Sequence, residues 1–246
     1  MHRFFVSPDC IDGQDVTLPD NVARQVARVL RFKSGDRIIV LDDSGWEYVV
    51  TLTAVDSNVA QGVVSDKRVS DGEPDFRLVL YQGMLKSDRF EFVLQKGTEL
   101  GVSAFVPVSC ARSVAKGDSA NRSVRWRKII TEAAEQSGRG RIPILEKPSE
   151  FFSACDAHDG FGLIPWEEEA DAGLRAVLRR WKANELGISS VSIFIGPEGG
   201  FTREEVEYAH SRGIVAVSLG KRILRAETAG IATAAAVLYE LGEFGA

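Results

Sequence analysis

Apolar and polar positions follow two different periods along the chain. Up to about residue 70 the apolar residues come in short β-branched runs: Asp15–Leu18, Arg37–Leu41, Glu47–Val55 and Ala60–Val64. Asp42-Asp43-Ser44-Gly45 between the second and third runs marks a hairpin. One stretch, Asn21 to Phe32, has helical spacing instead, with Val22, Val26, Val29 and Leu30 on one face and Arg24, Arg28 and Arg31 left for solvent. Several short strands and one helix in so few residues predict a small barrel. Polar Ser70-Asp71-Gly72-Glu73-Pro74-Asp75 then reads as a linker, dividing a domain of 1–72 from one of 73–246.

From Phe76 strands alternate with helices, which predicts an α/β domain with a largely parallel sheet. Arg77–Tyr81 reads as a strand, Asp88 to Leu100 as a helix stopped by Gly101, and Ala104–Val108 as the next strand. A helix from Arg122 to Gln136, short segments at Ile142–Leu145 and Phe151–Ala154, and a strand at Phe161–Pro165 come next. Val191–Ile195 is a run suited to a strand buried on both faces, and it ends at Gly196-Pro197-Glu198-Gly199-Gly200. Thr202 with Glu205 forms a capping box, starting a helix to about His210. The pattern repeats: Ile214–Leu219 is a second buried strand, broken by Gly220 and Lys221–Arg225 before a helix from Glu227. Two neighbouring strand-end loops define a crevice where open α/β sheets bind ligands, although both also fit ordinary tight turns.

Composition narrows the classes. The 246 residues, 44% hydrophobic and 26% charged, suit a soluble globular protein of one large or two modest domains. The apolar Phe4-Phe5-Val6 ends at Ser7-Pro8, too soon for a signal peptide, and no run is long enough to span a membrane, so a cytoplasmic protein is expected. Cys10, Cys110 and Cys155 are odd in number and widely spaced, and His2, His158 and His210 have no ligand spacing, so neither disulfide nor metal is expected.

A net charge of −5 argues mildly against nucleic acid, but the positive charge is concentrated. Arg112, Lys116, Arg122, Arg125, Arg127, Lys128, Arg139 and Arg141 face only Asp118, Glu132 and Glu135; Arg24, Arg28, Arg31, Lys33 and Arg37 face only Asp36. Acidic residues gather elsewhere, at Asp66 to Asp75 and at Glu167-Glu168-Glu169. Two basic segments on an acidic chain fit a polyanion surface as well as they fit solvated faces.

Four ordered blocks resemble the SPOUT class of methyltransferases, and within it the RsmE-type 16S rRNA (uracil-N3)-methyltransferases. They are Met84-Leu85-Lys86-Ser87-Asp88-Arg89 through Gln95-Lys96-Gly97-Thr98-Glu99-Leu100-Gly101-Val102; Glu132-Ala133-Ala134-Glu135-Gln136-Ser137 with Arg139 and Arg141-Ile142-Pro143; Ile195 to Phe201; and Leu219-Gly220 with Ile223-Leu224-Arg225, Glu227-Thr228-Ala229. Arg3-Phe4-Phe5 and Val29-Leu30-Arg31 resemble the family's amino-terminal domain, so the likeness covers nearly the whole chain. Gly97 replaces the family's usual Ala, and Gln25 stands where relatives often carry His.

The resemblance implies a PUA-like barrel that holds RNA, followed by a SPOUT domain with a carboxyl-terminal trefoil knot. It implies S-adenosylmethionine as cofactor, 16S rRNA of the small ribosomal subunit as partner, and a homodimer. A barrel that merely covers a hydrophobic patch, a ribose 2′-O-methyltransferase and a non-catalytic RNA-binding module are the alternatives. The terminal helix, with Ile231, Val237, Leu238 and Leu241 among alanines, suits a subunit interface or an internal core.

The expected cofactor residues are Leu163, Pro165, Ile195, Gly196, Pro197, Gly199, Gly200, Leu219, Gly220, Ile223, Leu224, Thr228 and Ala229, which offer an apolar slot and bare backbone. Arg3, Arg24, Arg28, Arg31, Arg112, Arg125, Arg127, Arg139 and Arg141 are the expected RNA contacts. Methylation of uracil N3 needs loss of an imide proton. Arg225 is therefore expected to donate to the O2 or O4 that gathers charge, and Glu198 either accepts the proton or anchors the loop.

Overall fold

A computed structural model describes residues 1–56, 58–114, 120–184 and 189–245. Lys116 and Asp118, two charges of the central basic segment, lie outside the described residues. The chain forms two compact units, Met1–Glu73 with Thr131–Ile142, and Pro74–Ile130 with Pro143–Ala246.

The first unit contains β1 (Arg3–Phe5), β2 (Ile11–Asp12), β3 (Asp15–Thr17), α1 (Asp20–Arg24), β4 (Arg37–Leu41), β5 (Trp46–Val55) and β6 (Ala60–Val69). They make a six-stranded sheet in the order β1-β4-β5-β6-β3-β2, antiparallel except for β1 on β4. Its core gathers Phe4, Val16, Leu18, Val22, Val26, Ile38, Val40 and Leu52. The hairpin at Asp42–Gly45 forms as expected: Asp42 accepts from the Ser44 amide at 3.1 Å, and Asp43 and Gly45 take positive φ.

The long helix expected over Asn21–Phe32 is α1 followed by a π turn at Gln25–Val29, where the Leu30 amide reaches back five residues to Gln25 at 2.9 Å. This wider turn rotates the side chains beyond it, so Val29, expected on the buried face, is 72% exposed. Arg24, Arg28 and Arg31 do face solvent, and Arg31 ends the helix at φ 56°.

Two of the expected RNA contacts belong instead to buried ion pairs. Arg3 bonds Glu47, whose side chain is 1% exposed and which also accepts from Arg68 Nε at 3.0 Å. Arg139 is itself buried, with Nη2 2.6 Å from Glu73 Oε2, while the same carboxylate accepts from the amides of Gly140 and Arg141 at 3.1 Å. Donors committed in this way already have a carboxylate partner, and turning either outward to a polyanion would cost part of that pairing. Glu73 therefore ties down the polar segment read as a linker.

The second unit contains β7 (Arg77–Gly83), α2 (Ser87–Leu100), β8 (Ala104–Ser109), most of α3 (Ala120–Ser137), β9 (Ile144–Leu145), β10 (Ser149–Glu150), α4 (Phe151–Ala157), β11 (Phe161–Pro165), α5 (Leu174–Asn184), β12 (Ser190–Ile195), α6 (Arg203–Ser211), β13 (Val215–Val217) and α7 (Ala226–Leu241). Every pair in its seven-stranded sheet is parallel, in the order β10-β8-β7-β12-β11-β13 with β9 on β8. All six residues of β12 are buried, as the apolar run predicts. Tyr81 and Phe194 stack at 4.3 Å on one side of the sheet.

Three expectations are corrected. The strands β12 and β13 are not adjacent, because β11 lies between them. The helix α5 has no counterpart among the expected elements, although Leu174, Val177, Leu178 and Trp181 recur at helical spacing; Trp181 stacks on Phe161 at 4.1 Å. Val237 and Leu238 of α7 are fully buried within this unit, where α7 packs on α2, β12 and α5, so these positions form internal core and not a subunit interface.

Cys110 and Cys155 are buried free thiols, and burial raises both, Cys155 to about 12, which keeps them protonated and unreactive. Among the described residues no helix is long and apolar enough to cross a membrane, and no cluster of His, Cys, Asp and Glu could hold a metal ion.

Candidate active site

The loop Gly196–Phe201 leaves the end of β12 and enters α6 through the expected capping box: the Thr202 amide donates to Glu205 Oε2 at 2.8 Å and the Glu205 amide to Thr202 Oγ1 at 3.2 Å. Glu205 is 2% exposed and also accepts from the Ala111 amide at 2.8 Å. Beside it Arg112 Nη1 donates to the carbonyls of Gly199 and Phe201 at 3.0 and 3.1 Å. The residues just beyond β8 thus hold the loop from outside, so Arg112, expected on RNA, positions this loop. Gly83 is required by close approach, since a Cβ there would stand 2.5 Å from the Pro197 nitrogen, and Gly200 by its φ of 67°.

Two cavities open beside this loop. The first, about 570 Å³, is walled by Pro165, Trp166, Leu219, Gly220, Ile223 and Leu224 among others. The second, about 510 Å³, is walled by Ile195–Phe201, Arg225 and neighbouring side chains. Pro165, Glu167, Ile223, Leu224 and Ala229 belong to both walls, so the two spaces adjoin. The sheet order explains Pro165: β11 ends between the two loops that leave β12 and β13.

Eleven of the thirteen expected cofactor residues line these cavities. The two exceptions have simple causes. Leu163 is fully buried in the middle of β11, two residues short of the rim. Thr228 is turned about 100° around α7 from Ala229 and lines a third cavity of about 730 Å³ between α5 and α7.

The first cavity fits a nucleoside of a cofactor such as S-adenosylmethionine. Ile223 is a large apolar side chain left 89% exposed in its wall, and nothing lies within 4 Å of where a Gly220 Cβ would stand, so bare backbone faces open space. An aromatic ring placed there would cover the one and reach the polar groups of the other.

Five charged side chains line the second cavity: Arg89, Glu167, Glu198, Arg225 and Glu227. Three of them hold one another. Arg89 Nη1 is 3.5 Å from Glu198 Oε1 and its Nε is 3.8 Å from Glu227 Oε1, while the Lys86 amide also donates to Glu198 at 3.5 Å. This geometry supports the anchoring role of Glu198. Arg225 is exposed at the N-cap of α7, with no side-chain partner among the described residues. Glu167, Arg89, Glu227 and Arg112 join the site without having been expected there. Arg89 and Glu227 stood in the family-like blocks without an assigned role, and Glu167 carried a positional signal, since it stands two residues beyond a strand end.

The remaining basic residues are dispersed. Arg125 is 68% exposed yet 2.7 Å from Glu91, and Arg127 is exposed; in the first unit Arg141 is exposed beside Gly45.

A parallel α/β sheet whose strand-end loops bound two adjoining cavities suits a nucleoside-binding protein, and the family model of the RNA methyltransferase domain, matching residues 72–238, makes it a transferase. The chain is 31% identical over 248 residues to the ribosomal RNA small subunit methyltransferase E of Bacillus subtilis, covering 98% of this chain and 97% of the relative. It is 33% identical over 231 residues to that of Synechocystis, covering 93% and 74%. Among solved structures it is similar to the ribosomal RNA small subunit methyltransferase E of Neisseria gonorrhoeae bound to S-adenosyl methionine, at 33% identity with TM-score 0.86 and 97% of both chains covered. A Legionella pneumophila methyltransferase in complex with the same cofactor aligns at 27% identity, TM-score 0.85 and 96% of both chains. This chain belongs to the ribosomal RNA small subunit methyltransferase E family.

Proposed function

We propose that the protein transfers a methyl group from S-adenosylmethionine to N3 of a uridine in the 16S RNA of the small ribosomal subunit. Family membership supports the reaction class. The observation that carries the reading is the pair of adjoining cavities, one walled by apolar side chains and bare glycine backbone, the other bearing an unpartnered guanidinium. Leu219, Ile223 and Leu224 hold the adenine, and backbone groups at Gly196, Gly199 and Gly220 bond the ribose and amino-acid portions. When bound, the cofactor supplies a methyl group activated by its positive sulfur.

The chain's own residues then have two tasks. Uracil N3 faces its pairing partner in a duplex, so the uridine enters unpaired or turned out of its stack. Arg225, at the mouth shared with Ile223 and Leu224, donates to O2 or O4 as the imide ionises, and holding the ring in line supplies much of the acceleration. Arg24, Arg28 and Arg31 on the first unit, and Arg125, Arg127 and Arg141, are the remaining RNA contacts.

The finer architecture accords with this function. Residues 1–72 form a PUA-like RNA-holding barrel and 73–246 a SPOUT domain, whose trefoil knot is made by the segments flanking Gly196–Gly200 and Leu219–Ala229. The protein works in the cytoplasm as a homodimer. Ala232 and Tyr239, on the face of α7 that its own core leaves exposed, give the second subunit a place to pack.

The test is incubation with labelled methyl donor and small ribosomal subunits, then nucleoside analysis of the RNA. Label in 3-methyluridine is expected. Label in a 2′-O-methyl nucleoside refutes the N3 assignment, and cofactor binding without transfer refutes the enzyme.

A further inference from the structure

The acidic run Glu167-Glu168-Glu169 is given no role in the adenine, ribose and charge-stabilising contacts assigned above, and its members have separate fates. Glu168 bonds Arg203 at 2.8 Å, and Glu169 accepts from the amides of Asp171 and Ala172 at 2.8 and 2.9 Å. Glu167 bonds no residue among those described and belongs to the walls of both cavities.

Elimination within the second cavity singles it out. Its five charged side chains divide into Arg89 with the two carboxylates it pairs, Glu198 and Glu227, and two that pair with no described residue, Arg225 and Glu167; Glu227 keeps Oε2 unpaired but buried, so Glu167 is the exposed carboxylate there with neither oxygen engaged. The Watson–Crick edge of uracil presents one N–H donor between two carbonyl acceptors. One guanidinium and one carboxylate match two adjacent members of that edge, the guanidinium at a carbonyl and the carboxylate at N3–H. Glu167 Oε1 lies against this loop, 2.6 Å from where a Cβ at Gly200 would stand.

We infer that Glu167 is the catalytic group that takes the imide proton, an assignment that rests on the uracil-N3 reading above. The N3–H bond breaks with its proton passing to a Glu167 carboxylate oxygen. The freed N3 electron pair forms the bond to the methyl carbon, and the carbon–sulfur bonding pair leaves with sulfur. The Glu167 carboxyl then returns its proton to water. Arg225 lowers the energy of the negative charge during the step, so one group removes the proton and the other stabilises the anion that remains.

Glu167→Gln keeps the shape and removes the basicity. In single-turnover methylation of small subunits at saturating cofactor, the variant is expected to lose about 10²–10⁴-fold in rate, the range for a general base. Titration calorimetry should give S-adenosylhomocysteine affinity within about threefold of wild type, a factor of about 0.7 kcal/mol. The diagnostic measurement uses subunits assembled on RNA carrying 5-fluorouridine, whose imide is more acidic and ionises without a base. The variant should recover much of its rate on this RNA at mildly alkaline pH, and wild type should gain little. Equal loss on both RNAs overturns the inference, as does an unchanged rate. Weakened binding of S-adenosylmethionine relative to S-adenosylhomocysteine, with normal chemistry at saturation, would also overturn it by assigning Glu167 to the sulfonium charge. A wild-type protein that forms no 3-methyluridine defeats the underlying reading instead, and the two failures are told apart by that control.

Discussion

Arg225 occupies the N-cap of α7, where helices favour a short side chain that accepts from the first amides, and it makes no such bond. The position is costly for the helix and useful for a ligand. Arg225→Lys keeps the charge and loses the planar fork, so kcat and kcat/KM are expected to fall together by about 10²–10³-fold. S-adenosylhomocysteine affinity, measured by calorimetry, should barely move; a large loss of that affinity with intact chemistry at saturation would make Arg225 a loop-holding residue. Arg139 is the opposite case. Its place in a recognisable block could be read from the chain, but its partner Glu73 lies 66 positions away, so nothing local distinguishes a buried clamp from a phosphate contact. Sequence reveals that a residue is charged, and only the fold reveals which group already neutralises it.

At the scale of elements, local features were the legible ones. The capping box of α6 spans four residues and forms as the spacing predicts, whereas the π turn after α1 has no such local signature and leaves Val26 in the core and Val29 exposed. The box also sets up a graded prediction. Thr202→Ala should cost about 1 kcal/mol, the ordinary value of an N-cap. Glu205→Ala should cost more, by about a further 1–3 kcal/mol, because the Ala111 amide loses its acceptor as well. Denaturant unfolding checks the order. Equal losses would mean that the contact to Ala111 contributes nothing.

For the whole molecule, alternation of strands and helices was enough to predict a parallel sheet, but not its order, since neither β12 nor β13 carries a mark of the strand beside it. That order decides which loops share a wall, so the site was legible as two loops and not as two cavities meeting at Pro165. The RNA surface is likewise a property of the whole. Affinity for subunit RNA should fall steeply with salt while S-adenosylhomocysteine affinity stays nearly constant, and replacing Arg24, Arg28 and Arg31 with Ala should flatten the slope by up to about three counterions. Filter binding across a salt series measures it, and an unchanged slope would assign these arginines to a solvated helix face.

The position of β11 also bears on how the chain comes off the translating ribosome. Both of its partners, β12 and β13, are made after it, so its backbone has no ladder to join until residues up to Ile195 have emerged, and its second edge stays open until Val217. During that interval Gly162-Leu163-Ile164 is an unsatisfied apolar edge, the kind of segment that pairs with a neighbouring chain if synthesis pauses. The cavity wall waits longer still, for Ala229, so a nascent chain has no place for its methyl donor until the carboxyl-terminal helix has begun to form.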